Sequence, residues 1–278
     1  IQKKIDRQQE EITKRLLAPI DIRYDAPVFE TDFSMYCNEA EHPESSRLGP
    51  FIADAIYHYV NESGNETDLA LVASGGIRDQ IRKGKDGIQS IPDIFRIVSL
   101  GEGNDGNPGN PLTITHFTAK ELKRTLEVLL MAGESTPGAY CYYSGLRIYY
   151  NKEKGFLNKI RHIEFLNEDS TFTPMDFKDK DKLYKVCTNS YMLNFFSLIR
   201  KKTYGLVNPE PKNALGEELE DYSKAIIDMD KDKPGIQEGK EWLAILNYVK
   251  TFRDTNGNSI PDIPEYYQSH FNPVIELK

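Results

Sequence analysis

Ile1, Ile5, Ile12 and Leu16 fall on one face of a segment otherwise filled with Lys, Arg, Glu and Gln, which predicts a helix over 1–17 ended by Pro19. So narrow an apolar stripe suits a helix that leans on a domain from outside or links two domains. PIDIRYDAPVF alternates and predicts a strand over 19–29, and NEAEHPESS (38–46) reads as a loop. Leu48, Ile52, Ile56 and Tyr59 recur at helical spacing over 46–60, with Ser46 as N-cap. The continuous apolar run DLALVA predicts a buried strand over 68–73. GEGNDGNPGNP (101–111) is a loop by its Gly, Asn and Pro content, and LTITHF alternates as a strand over 112–117. Thr118 and Glu121 form a Thr-x-x-Glu capping box, which opens a helix over 118–130 with the stripe Leu122, Leu126, Leu129 and Leu130. GLRIYY (145–150), KIRHIEF (159–165) and KLYKVCT (182–188) predict three more strands, and KEWLAILNYVKTF (240–252) a late amphipathic helix. Strands and helices mix without a regular βαβ order or an internal repeat, so the fold class is α+β, a mixed α/β arrangement.

The net charge of −8 argues against a nucleic-acid polymer as partner, because phosphate backbones want a basic field. A local anion pocket built from a few arginines remains compatible with it. The apolar runs are too short for a membrane span. The chain starts IQKK, without an initiator Met or a signal peptide, and reads as a mature or trimmed product. Cys37, Cys141 and Cys187 are far apart with no Cys-x-x-Cys or Cys/His spacing; one disulfide or three buried thiols both fit.

The stretch SGGIRD (74–79) has two readings. Gly75 and Gly76 can simply make a turn, with Arg78 a surface charge. Alternatively, a backbone without Cβ lets a ligand approach, and Arg78 supplies a fork for a carboxylate or phosphate. It is neither a P-loop nor a dinucleotide fingerprint, lacking Gly-Lys-Ser/Thr and the third glycine. In order, the chain gives SRLGPFIADAI, DLALVASGGIRDQI, IPDIFRIVSLG, LTITHFTAKELKRTLE, SGLRIYYN and YKVCTNSYM. That series resembles the C-terminal, substrate-specificity domain of the 5'-nucleotidase / 2',3'-cyclic phosphodiesterase family over roughly residues 1–200. The resemblance implies sheets flanked by helices, an interdomain linker helix at 1–18, the specificity domain at 19–253 and a tail at 254–278.

The resemblance also implies a nucleoside or nucleotide as ligand. Its base would be stacked between two aromatic rings, with Arg78 near the phosphate or ribose. The partner would be a metallophosphatase domain or subunit carrying two metals. By resemblance the setting is periplasmic or extracellular, with a lipid anchor compatible before trimming. The departures are specific. Leu100 stands where the family has its first stacking Phe, and Tyr191 where it has the second ring. Tyr191 can still stack on a base, worth ~1–3 kcal/mol on comparable platforms. No Asp in NFFSLIRKKTYG matches the residue that grips the ribose. The binding set carried over is Gly75, Gly76, Arg78, Leu100 and Tyr191. No DxH, GNHD/E or GHxH motif is present, and the five histidines have no ligand spacing. A two-metal centre cannot be built in the family's way, so this chain should not hydrolyse nucleotides alone.

DTNGNSIPDIPE (254–265) is a second candidate site. Asp254, Asn256, Asn258, Asp262 and Glu265 occupy positions 1, 3, 5, 9 and 12 of a loop, with the Ile260 carbonyl at position 7. That is oxygen-ligand spacing for calcium, although Ser259 replaces the usual Gly and Pro261 is foreign to an EF-hand. An Asn/Gly/Pro turn into an extended tail is the other reading. The acidic patch DMDKDKPG (228–235) reads as a solvated loop because lysines interleave its carboxylates. Three functions therefore stand: a nucleotidase specificity domain, a degenerate non-catalytic binding or scaffold module at the cell surface, and a pocket for another anion such as a sugar phosphate.

Overall fold

The computed structural model describes residues 2–37, 42–155, 157–202, 209–269 and 272–277. In chain order the strands are β1 (Pro27–Glu30), β2 (Leu69–Ala73), β3 (Ile88–Ser90), β4 (Leu112–Thr118), β5 (Cys141–Ser144), β6 (Leu146–Tyr150), β7 (Ile160–Leu166), β8 (Phe172–Pro174), β9 (Leu183–Asn189) and β10 (Val274–Glu276). The helices are α1 (Gln2–Ile12), α2 (Leu48–Glu62), α3 (Ile91–Val98), α4 (Ala119–Ser135), α5 (Ser190–Lys202) and α6 (Glu241–Val249).

The central sheet runs β4-β9-β2-β5. β2 and β9 are parallel, while β4 and β5 are antiparallel to their neighbours. Alternate residues of β2 face opposite cores, as the two-residue period of a strand requires. Ala70 and Val72 join a cluster with α2, α3 and α6, whereas Leu69, Leu71 and Ala73 join one with α4, α5 and β6. The result is a sheet covered on both faces by helices. A second sheet runs β10-β6-β7-β8, and β1 pairs with β3 in a short ribbon.

Gly145 joins the two sheets between β5 and β6. Its φ is +85°, and a Cβ there would lie 2.6 Å from the Asp68 carbonyl oxygen, so only glycine fits.

The strong sequence signals reappear within a few residues of the expected limits. Ser46 Oγ accepts the Gly49 N–H at 3.0 Å, and the Thr118/Glu121 capping box is formed at α4. The strand expected over 19–29 shrinks to β1. Ala18–Ile20 is a 3₁₀ turn, Asp21 has φ 54°, and Ile22 N–H returns to the Leu17 carbonyl. The alternation there reflects a chain laid over the core rather than a ladder. α1 continues through a wider turn, Thr13–Leu17, and of its predicted apolar face Leu16 is buried while Ile5 stays exposed. Ile1 and residues 38–41 of the predicted loop lie outside the described residues. The three cysteines form no disulfide.

Candidate functional site

The parallel pair β2 and β9 ends side by side, which brings two loops to one end of the sheet. After β2 comes the turn Ser74–Gly76, and after β9 comes the start of α5 with Tyr191. Crevices outside the carboxyl ends of parallel strands are where open sheets bind ligands. Ser74 anchors the turn: its N–H donates to Tyr140 O at 2.8 Å and its Oγ to Pro137 O at 2.5 Å. Gly75 serves that packing, since a Cβ would sit 2.8 Å from Gly138 O, whereas one on Gly76 would meet nothing within 4 Å. The two glycines thus divide their work: Gly75 lets two turns touch, and Gly76 leaves open space.

Arg78 is exposed, its N–H bonded to Ile97 O at 2.9 Å and its guanidinium to Gly75 O at 3.1 Å. Neighbouring Asp79 is taken by Arg96 at 2.9 Å and Arg82 at 3.3 Å. Arg78 itself has no carboxylate partner among the described residues, so it remains a cation at the open side of the turn.

Leu100 follows α3 and is 40% exposed. Its carbonyl accepts Asn110 N–H at 3.0 Å, and Pro111 O accepts the Ser190 N–H at 2.8 Å. The 101–111 loop therefore ties Leu100 to the start of α5, where Tyr191 is 44% exposed. Tyr191 packs edge-on against Phe195 with ring centroids 5.0 Å apart, an exposed aromatic that the sequence reading passed over. Beside them a cleft of about 550 Å³ is lined by Glu102, Asn104, Ser190, Glu220, Asp221 and Tyr222 among others.

The sequence reading also missed the clamp on this loop. Buried Lys240 pairs with Glu238 at 2.5 Å and Asp105 at 3.2 Å, and Glu238 accepts the Asn104 N–H at 3.0 Å. The Asp105 carboxyl lies below its ordinary value: burial opposes this, but the Asn107 hydrogen bonds and the Lys240 charge outweigh it. Only the Gly/Asn/Pro content of the loop was a signal for this, and it does not name the partner lysine.

The candidate calcium residues lie elsewhere, beside β1. Asp254 Oδ1 accepts the N–H groups of Asn256, Gly257 and Asn258, and Oδ2 accepts that of Ser259 at 2.7 Å. The Ser259 hydrogen bond leads the causes that hold the Asp254 carboxyl below its ordinary value. Asp262 accepts from Thr255, and Ile260 N–H donates to Asn258 Oδ1 at 2.8 Å. Glu265 departs from the expectation. The chain after Asp262 runs beside β1 and turns at Pro264, so Glu265 opens the 3₁₀ helix Glu265–Gln268 with its own side chain exposed. No described hydrogen bond ties it to the loop, and Glu30 of β1 enters the loop instead, bonding the Asn256 amide and, at 2.8 Å, the Asn258 amide. Among the described residues no three His, Cys, Asp or Glu side chains by themselves form a metal cage. His42 and His162 pair with Glu44 and Glu164, and His58 packs on Tyr248; His270 lies outside the described residues. No described helix is long and apolar enough to cross a membrane.

The trifunctional nucleotide phosphoesterase protein YfkN of Bacillus subtilis is 28% identical over 152 residues, 54% of this chain and 9% of that protein. The 5'-nucleotidase precursor of Thermus thermophilus superposes with a TM-score of 0.58 at 18% identity, over 96% of this chain and 41% of its own. The NAD nucleotidase of Haemophilus influenzae gives 0.55 at 18% identity, over 97% and 41%. The chain thus spans less than half the length of each of these relatives, and the two structures establish likeness of fold. The family described as the 5'-nucleotidase C-terminal domain matches residues 25–197, more than half of the sequence, and the chain belongs to that family.

Proposed function

We propose that the chain is the nucleoside- or nucleotide-binding specificity domain of a 5'-nucleotidase-type phosphohydrolase, working in nucleotide breakdown only with a metallophosphatase domain or subunit. The observation that carries the reading is Arg78: an exposed guanidinium without a carboxylate partner among the described residues, beside the open face of Gly76 and at the same sheet end as Tyr191. A guanidinium fork suits a phosphate, and the Tyr191–Phe195 pair offers a base a face to stack on. Ile5, exposed on α1, suits a linker helix that meets a second domain. The catalytic metals would belong to that domain, and the periplasm or cell exterior is the setting this reading implies.

A second reading, a non-catalytic binding or scaffold module, draws on the same cleft. Leu100 provides no ring, and Glu102, Glu220 and Asp221 make the lining acidic, which disfavours a phosphate. Calorimetric titration with adenosine and AMP separates the two. Binding of AMP that falls about tenfold, ~1.4 kcal/mol, in Arg78→Ala supports the specificity domain. Binding of neither ligand removes it in favour of the scaffold. Phosphorylated sugars in the same titration test the remaining anion-pocket reading.

A further inference from the structure

We propose that the cavity lined by Asp54, Leu146, Leu166 and Tyr266 binds a small organic ammonium ion with an apolar body. The cavity lies at the amino end of β2, where Ala70 pairs with Ser144, whereas the Arg78 turn follows the carboxyl end of the same strand. It forms where Gly145 carries the chain from β5, the edge of the central sheet, into β6 of the second sheet. The Leu166 N–H donates to the Gly145 carbonyl at 2.9 Å and holds that junction. The space, about 330 Å³, takes its lining from strands of both sheets, with Leu146, Leu166 and Phe172 giving it a mostly apolar wall. A small-molecule pocket has this size and this lining when a single polar group gives it direction.

Asp54 is that group. Among the described lining residues it is the one acid, and none is a base. Ser144 Oγ and Tyr267 Oη each donate to one of its oxygens, and each oxygen keeps a further lone pair. No lysine, arginine or histidine pairs with it among the described residues. The groups facing it from the packed elements are neutral hydroxyls: Ser144 of β5, Tyr248 of α6, and Tyr267 of the turn that also carries Tyr266. His58, one turn along α2, packs on Tyr248 with ring centroids 5.2 Å apart. Arg147 is engaged too, its guanidinium 3.7 Å from the centre of the Phe172 ring. A carboxylate drawn out of water without a counter-charge is costly, and a cation that reaches it recovers that cost.

The surroundings choose the cation. A metal ion wants several oxygen ligands, and this cavity offers one carboxylate amid hydrocarbon. A primary ammonium needs less. It donates charge-assisted hydrogen bonds to Asp54, meets the half-exposed Tyr266 ring, and buries its carbon body against Leu146 and Leu166.

The test is calorimetric titration of the whole chain with phenethylamine, benzylamine and butylamine, with phenethyl alcohol as the uncharged counterpart. One site per chain is expected at pH 7, with phenethylamine about tenfold or more tighter than the alcohol. Asp54→Asn keeps the shape and removes the charge, so it should abolish that preference. Arg78→Ala should bind the amines as the parent chain does, since its turn lies at the other end of β2. The ammonium binds the ionised acid, whose value is about 6, so affinity should rise about tenfold from pH 5 to pH 7 and then level off. No heat with any of the three amines overturns the site. Alcohol binding as tight as amine binding, or amine affinity unchanged in Asp54→Asn, overturns the recognition of an ammonium. Loss of amine binding in Arg78→Ala would move the ligand to the other sheet end and overturn the site as well.

Discussion

Asp54, on α2, accepts hydrogen bonds from Ser144 Oγ at 2.5 Å and Tyr267 Oη at 2.7 Å. Burial nevertheless pushes its carboxyl up to about 6, against those two hydrogen bonds, with the Tyr248 ring nearby. A folded-state value above the unfolded one means that folding favours the protonated acid. The group therefore destabilises the fold progressively as the pH rises from about 4 to about 6, and by about 3 kcal/mol at most above that. Asp54→Asn removes this titration. Melting temperatures measured from pH 4 to 8 should show the parent chain losing stability relative to Asp54→Asn across that window, then a constant gap. A gap that does not change with pH would mean that Asp54 is ionised throughout. None of this was legible in the sequence, because the partners of Asp54 lie 90 and 213 positions away. Ser46 and Thr118 were legible, since a cap and its helix are neighbours along the chain. Gly75 shows the intermediate case: the need for glycine was visible, but its cause, the Gly138 carbonyl, belongs to another turn.

At the scale of elements, α4 shows how a locally encoded helix is fixed in place by a contact its own sequence does not announce. Its capping box satisfies the first turn, and Leu122, Leu126 and Leu129 face the second core. Glu127 on the same helix is completely buried. It accepts Lys123 Nζ at 2.8 Å, the Ile160 N–H at 2.7 Å and the Lys159 N–H at 2.9 Å, which pins α4 to the start of β7. Glu127→Ala would leave two main-chain donors and a lysine without their acceptor, at a cost of about 2–5 kcal/mol. Glu127→Gln retains one amide oxygen and should lose less. Urea unfolding of the three proteins checks the order, and an Ala variant as stable as the parent would show that water replaces the carboxylate. The sequence stripe located α4 but could not reveal Glu127, since a charge amid leucines reads as a solvated position. Periodicity failed differently at 19–26, where alternation lacked a partner strand and only the end of the stretch pairs, as β1 with β3. It also passed over β8 and β10, three residues each, too short to carry a period.

The molecule as a whole decides whether the residues after α6 are an appendage, as the sequence suggests, or part of the fold. Asp262 bridges Glu30 in parallel with β1, and Ile263 is 5% exposed in the first core. Tyr267, 3% exposed, packs edge-on against Phe51 at 5.2 Å and reaches Asp54. Asn272 donates to Tyr140 Oη at 2.9 Å, and β10 then adds an edge strand parallel to β6. The segment thus touches the ribbon, the first core and the second sheet in succession. Burying Ile263 and Tyr267 alone contributes about 3–6 kcal/mol, a large share of the stability of an ordinary domain. A chain cut after Arg253 should therefore unfold at much lower urea, or fail to fold. It should narrow the Asp54 titration window, because removing Tyr267 uncovers the carboxyl and relieves the burial that raises it. Unfolding at the same urea concentration as the full chain would mean that the core closes without the tail, and that the parallel pairing of β10 with β6 adds nothing the rest of the second sheet needs.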